Sequence, residues 1–207
     1  MTKKEVRNKI ITVLKVSLLK HGFIYNSKIG SFYKSKDDWK YEVILGLYDY
    51  NPEYKFSFGL CIRNNKVESI FHKFSGTIAE YQQSSCTSLT PLKYFDDKTV
   101  DYKITNENEL SIALNEFLQL FENKIIESIN YFTTLELLEK EFNTNPNFNV
   151  ISIPDTYIHG LILAKLCNNT NFEDLVKSYA AIVDPYIHEK NKYYAVVEYL
   201  RDESNIL

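Results

Sequence analysis

The sequence predicts an α+β fold, with an antiparallel sheet of four or more strands packed on an N-terminal helix and a helical C-terminal half after it. Three observations carry this. Apolar side chains recur every four positions through the first twenty residues, residues 39–63 alternate with a period of two, and the helical period returns from Asn106. The expected division is 1–142 as the α+β domain and 150–207 as a helical subdomain, packed on the first as one unit or separable from it.

The first helix runs from about Lys3 to Lys20. Thr2 and Glu5 form an S/T-x-x-E capping box at its start, Val6, Ile10, Leu14 and Leu18 make its stripe, and Ile11 and Val13 widen it. Gly22 stands where a left-handed C-terminal cap belongs. In "FIYNSKIGSFYKSKDDWKYEV" the turn-formers Asn26-Ser27, Gly30 and Asp37-Asp38 break the chain into short strands. A third strand then covers about Trp39 to Asp49 and a fourth about Tyr54 to Arg63, turning at Asn51-Pro52.

Parity assigns the rings of this hairpin. The odd positions Trp39, Tyr41, Val43, Leu45 and Leu47 pair with the even positions Tyr54, Phe56, Phe58, Leu60 and Ile62, so both apolar rows share a face that needs a cover. The first helix is the nearest candidate. The opposite face carries Lys40, Glu42, Ile44, Gly46, Tyr48 and Tyr50 beside Lys55, Ser57, Gly59, Cys61 and Arg63. Its middle is small, and glycine within a strand marks close approach of another backbone or of a ligand. Packing of a helix into that dent is preferred over a shallow site rimmed by tyrosines.

A short helix follows from about Val67 to Phe74, stopped near Gly76. Residues 77–104 have some strand character, turn signals at Thr90-Pro91 and Asp96-Asp97, and a last strand over Val100 to Ile104. Asn106 with Glu109 caps a long helix carrying Leu110, Ala113, Leu114, Phe117, Phe121 and Ile125. Thr133 and Glu136 form a second capping box for a helix ending near Phe142. "NTNPNFN", residues 143–149, is the expected linker, and Pro154–Cys167, Phe172–Tyr186 and Asn191–Arg201 read as three helices, the second capped by Asn171 with Asp174.

The formal net charge is −3, too small to select a partner, but residues 1–40 carry ten Lys/Arg against three acids. A basic first helix lying against acidic later helices accounts for this. Arg7, Arg63 and Arg201 are the only arginines, which argues against nucleic acid as a partner; such binding by the Lys-rich helix would weaken steeply with salt. Glu107, Glu109, Glu116, Glu122 and Glu127, with Asp96, Asp97 and Asp101, form an acidic stretch read first as a solvated face. Its sharper reading is a surface for a basic protein, as an inhibitor of a nuclease would present.

Cys61, Cys86 and Cys167 have neither disulfide-framework nor zinc spacing and are expected as buried free thiols of a cytoplasmic protein. Lys15 interrupts the apolar run that would make a signal peptide, and no other run approaches the roughly 20 residues of a membrane span. No clustered glycines, no histidine spacing for zinc and no glycine-bounded nucleophile beside Cys86 are present, so no catalytic residue, cofactor or metal is assigned. Glu68 and His72 stand four apart and read as an exposed helix ion pair, while His21, His159 and His188 read as structural.

The pieces "LLKHGF", "GSFYKS", "PLKYF" and "NYFTTLELLEK" occur in an order that resembles a family of uncharacterised bacterial α+β domains, some of whose relatives are immunity proteins of toxin systems. The resemblance spans residues 5–142 and implies the fold and a protein-binding role, with no functional residues to carry over. The expectation is a non-catalytic protein-binding module of immunity or toxin-neutralising type, contacting its partner through Tyr48, Tyr50, Lys55 and Arg63 or through Glu116 and Glu122. The alternative is a small-ligand binder or enzyme using the dent at Gly46, Gly59 and Cys61, with Glu42, Tyr48 and Ser57 beside it.

Overall fold

The computed structural model describes residues 1–95, 102–144 and 153–205. In chain order these form α1 (Lys3–Leu19), β1 (Ile24–Asn26), β2 (Ser31–Lys36), β3 (Trp39–Asp49), β4 (Tyr54–Asn64), α2 (Asn65–Phe71), α3 (Ala79–Gln82), β5 (Ser88–Pro91), α4 (Leu92–Phe95) and β6 (Tyr102–Ile104). There follow α5 (Glu107–Leu120), a π-helical segment (Phe121–Ile125), α6 (Ile126–Tyr131), α7 (Leu135–Thr144), α8 (Ile153–Leu166), α9 (Phe172–Val183), α10 (Ile187–Arg201) and a 3-10 turn (Glu203–Asn205). The fold is α+β as the periodicities predict. Its sheet runs β1-β2-β3-β4-β5, with β6 also on β4, and the pairs β1/β2, β2/β3 and β4/β6 are antiparallel. The chain divides into two compact units, Met1–Ile62 with Thr90–Tyr131 (unit 1) and Arg63–Leu89 with Phe132–Leu207 (unit 2), neither of them a continuous run.

Unit 1 is built on local rules. The Thr2 hydroxyl accepts from the Glu5 N–H at 3.3 Å and the Glu5 carboxylate accepts from the Thr2 N–H at 2.7 Å, closing the capping box. Val6, Ile10, Leu14 and Leu18 are buried as the stripe requires. Gly22 ends the helix at φ +81°, a left-handed conformation that an L side chain adopts only at a cost. The hairpin closes with the Tyr50 N–H on the Glu53 carbonyl at 2.8 Å, and Tyr41, Val43, Phe56, Phe58, Leu60 and Ile62 are buried, in keeping with the predicted parity. From α5 a ring meets this face: Phe58 stacks on Phe117 at 3.5 Å between centroids, and Phe117 continues to Phe121 and Phe23. Each such buried ring contributes roughly 1.5–3 kcal/mol. Basic α1 does lie beside acidic α5, with Lys9 2.5 Å from Glu107 and His21 2.9 Å from Glu122 of the π-helical segment.

In unit 2, Asn64 caps α2, its side-chain oxygen accepting from the N–H groups of Lys66 (3.0 Å) and Val67 (3.3 Å). Ile158, Leu161, Ile162, Leu163 and Ala164 of α8 are fully buried, as are Val183 of α9 and Tyr193, Val196 and Leu200 of α10. The Tyr193 hydroxyl donates to the Val176 carbonyl at 2.8 Å, giving a buried phenol its partner.

Several expectations are corrected. Thr134, one residue later than predicted, stands at the start of α7, where its hydroxyl accepts from the Leu137 N–H at 3.5 Å. Asn171 makes no side-chain cap to α9, because the residue leaves the extended conformation a cap needs. The last helix begins at Ile187, earlier than Asn191. Cys61 and Cys86 are each disulfide-bonded, and Cys167 is a free thiol, so the expectation of three free thiols fails. A bridge depends on Cα separation and Cβ direction, which sequence spacing does not determine. Asp96, Asp97, Val100 and Asp101 and positions 145–149 of the expected linker lie outside the described residues. Among the described residues no helix is long and apolar enough to cross a membrane.

Candidate functional site

Among the described residues each unit gathers polar chemistry. In unit 1 it is the second face of the sheet. Antiparallel register places Tyr33 opposite Glu42 and Ser35 opposite Lys40, so alternation puts Lys40, Glu42, Gly46 and Tyr48 on the face away from Phe58. Glu42 is buried there. It accepts from the Ser31 hydroxyl and from the Lys40 ammonium at 2.6 Å, and Lys40 also lies 5.6 Å from the Tyr33 ring centroid.

The dent expected at Gly46 is filled from within the strand. A Cβ on Gly46 would meet Ser57 Oγ at 2.5 Å and Tyr48 Cε2 at 2.9 Å, so the Tyr48 side chain already occupies the space that the missing side chain leaves. Gly59 is half-buried, and Cys61 is committed to a disulfide. Further out, Tyr48 is 54% and Tyr50 60% exposed, and the Lys55 ammonium sits 5.4 Å from the Tyr50 ring centroid.

In unit 2 the polar groups are sequestered. Glu68 is fully buried on α2 among Val67, Ile70 and Phe71, which corrects the expectation of an exposed pair with His72. Its Oε1 accepts from the Thr87 hydroxyl at 2.7 Å and lies 3.0 Å from His159 Nε2 of α8. Its Oε2 accepts from the Ser85 hydroxyl, with His72 Nε2 at 3.5 Å and Arg63 Nη1 at 3.7 Å. Burial alone would raise the Glu68 carboxyl. The charge of His159 and the hydrogen bonds from His159, Ser85 and Thr87 outweigh it and hold the group down at about 2.

Around that carboxylate every donor has work. Arg63 Nη1 donates to the carbonyls of Gln82 (2.7 Å) and Ser85 (3.2 Å) and to Ser85 Oγ (2.5 Å), and its Nε donates to Asn65 Oδ1 at 3.0 Å. His72 Nε2 faces the Gln82 carbonyl at 3.2 Å and Ser85 Oγ at 2.8 Å. A carbonyl only accepts, so that nitrogen carries the proton. His72 Nδ1 accepts from the Ser75 hydroxyl at 3.0 Å, and the ring is complete while neutral. Burial lowers its proton affinity, and Glu68 opposes this only in part.

This tautomer decides the chemistry. Ser85 and His72 are at the distance of a nucleophile and its base, but the imidazole presents N–H to the hydroxyl and not a lone pair. The neighbouring carboxylate, held at about 2, is too weak a base to serve instead. The cluster holds structure together and does not activate Ser85.

Of the sequence-predicted residues, the fold brings Tyr48, Tyr50 and Lys55 together at the turn end of the β3–β4 hairpin. Arg63 belongs to unit 2 and its guanidinium is used there. Glu116 is exposed on α5, and Glu122 engages His21. Glu42 is buried and Ser57 half-buried on that sheet face. Sequence reasoning missed His159, Ser85 and Thr87. A signal existed in Glu68, a carboxylate within the apolar run Val67, Ile70, Phe71, where it needs partners on burial. Among the described residues no group of three His, Cys, Asp or Glu is placed to hold a metal ion. No family model, curated protein or solved structure matches the chain.

Proposed function

We propose that this chain is a non-catalytic protein-binding module, of the kind an immunity or toxin-neutralising protein represents, and that its contact surface is the hairpin end bearing Tyr48, Tyr50 and Lys55. The observation that carries the reading is the exposure of two neighbouring tyrosines at the end of β3 and just beyond it, at 54% and 60%, with an ammonium over one ring. Tyrosine offers large contact area at small entropic cost and is enriched where proteins meet. The acidic helix surface is the weaker candidate, because Glu107 and Glu122 are engaged by Lys9 and His21 of the same unit. The small-ligand alternative loses its space to Tyr48. The two disulfide-bonded cysteines favour an oxidising compartment over the cytoplasm, where thiols are kept reduced.

The test is affinity capture of the tagged chain from its native lysate beside a Tyr48→Ser, Tyr50→Ser, Lys55→Glu variant. One stoichiometric protein retained by the wild type and lost by the variant is expected, with amide protection across β3 and β4 showing that the variant stays folded. Equal recovery by both chains, or no companion with either, overturns the reading.

A further inference from the structure

We infer that unit 2 is closed by a proton: His159 is held doubly protonated between Asp155 and Glu68, and loss of that proton uncouples α8 from α2. The argument begins with donors and acceptors. His159 Nδ1 lies 2.7 Å from the backbone carbonyl of Asp155, one helical turn earlier, and a carbonyl oxygen has no hydrogen to give. Nε2 lies 3.0 Å from Glu68 Oε1, which already accepts from the Thr87 hydroxyl, while the other oxygen accepts from Ser85. Two acceptors require two protons, and a ring with two protons is an imidazolium.

Among the described residues Glu68 is the anion in contact with this cation. On α2, Glu68 touches it and His72 is neutral by its own hydrogen bonds. Arg63, at the end of β4, adds a second positive group at 3.7 Å from the same carboxylate. On α8 the Asp155 carboxylate is held by Lys192 of α10 at 2.7 Å. On α7, Glu139 accepts from Asn143 and Asn169, and Tyr179 of α9 donates to Asn143 at 2.6 Å. The imidazole is 1% exposed, with the Phe71 ring at 4.2 Å and the Phe142 ring at 6.5 Å between centroids.

Removing the Nε2 proton therefore has a local consequence that solvent does little to relieve. A ring-nitrogen lone pair then faces a carboxylate oxygen at 3.0 Å, and the contact that joins helices 91 residues apart in sequence turns from attractive to repulsive. The pair works as a latch that is shut while His159 keeps both protons and opens when the Nε2 proton leaves.

Long-range proton–nitrogen NMR of the ¹⁵N-labelled full chain, from about pH 6 to about pH 10, reads the ring directly, and amide exchange reads the helices. His159 is assigned through its ring-to-backbone couplings, so no variant has to fold. Both ring nitrogens are expected to bear protons at neutral pH. Loss of the second proton is expected to coincide with a loss of about tenfold or more in protection across α2 and α8, with α1 of unit 1 as internal reference. A single protonated ring nitrogen at neutral pH overturns the inference, including the case where the proton sits on Glu68. So does deprotonation that leaves the protection of α2 and α8 unchanged.

Discussion

Around Phe117 in unit 1 the groups removed from water are rings and aliphatic chains, whereas around Glu68 in unit 2 a carboxylate, an imidazole and two hydroxyls are removed with them. The first kind of core is non-directional. It tolerates change in proportion to the area or volume lost. The second is directional and close to all-or-none, since each donor is used and the loss of one partner leaves a charge that water does not reach. Unit 1 also has its buried carboxylate, Glu42, but Lys40 is on the same strand two residues away and the pair forms within the sheet. The Glu68 partners come from the end of β4, the segment before β5, and α8. Unit 2 therefore depends on a long-range agreement that unit 1 does not need at Glu42.

The most severe test of this contrast is Glu68→Ala, which leaves Arg63 and His159 without their shared anion. A loss of about 3–5 kcal/mol is expected from breaking such a buried pair. Denaturant unfolding followed by amide exchange should place the loss in α2 and α8 and spare α1; a cost below about 1 kcal/mol would mean that the cluster is no more than a surface pair.

Acid comes next, since it acts on the same carboxylate without mutation. Glu68 is held at about 2 against an ordinary 4.5, so the folded state is favoured above the ordinary value and the stabilisation is lost as pH falls towards 2. His72, lowered by burial, works in the same direction: protonation below its ordinary range disfavours the fold. Protection in α2 and α8 should fall between about pH 5 and about pH 2 in the wild type, and a Glu68→Gln chain should lose most of that dependence. A flat wild-type profile would contradict the assignment of Glu68 as an ionised group.

Helix caps sharpen the comparison at lower cost. Asn64 of unit 2 is buried and caps α2 with two bonds, while Asn106 of unit 1 is exposed and caps α5 with one at 3.0 Å. Asn64→Ala should cost about 2 kcal/mol and Asn106→Ala about 0.5–1 kcal/mol, at the two ends of the range for lost caps. Equal losses in urea titrations would argue that burial adds nothing to a cap. The smallest effect is a count of thiols on the unfolded chain under non-reducing conditions: Cys167 alone should react, with Cys61 and Cys86 joining it after reduction.

Legibility in the sequence followed the range of the interactions. The α1 capping box, the Gly22 stop, the β3–β4 hairpin and its buried face, and the Asn106 cap all rest on residues within a few positions of one another. Thr133 was expected where Thr134 stands because two adjacent threonines satisfy nearly the same spacing rule, and only the backbone turn chooses between them. At the hairpin face, alternation correctly put Gly46 opposite the core. It did not show that the Tyr48 side chain lies over the glycine, because a rotamer is set by its neighbours and not by parity.

By itself, then, the sequence determined the α+β class, the helices and strands with strong periods, and which side of the hairpin faces inward, because these follow from spacings of two to four residues. The tertiary structure alone decided that Glu68 meets His159, that Arg63 turns to the carbonyls of Gln82 and Ser85, and that Cys61 and Cys86 are oxidised. The physical reason is burial. Whether a charge or thiol finds a partner depends on which distant side chains the packed chain brings within about 3–4 Å, and no local period encodes that distance.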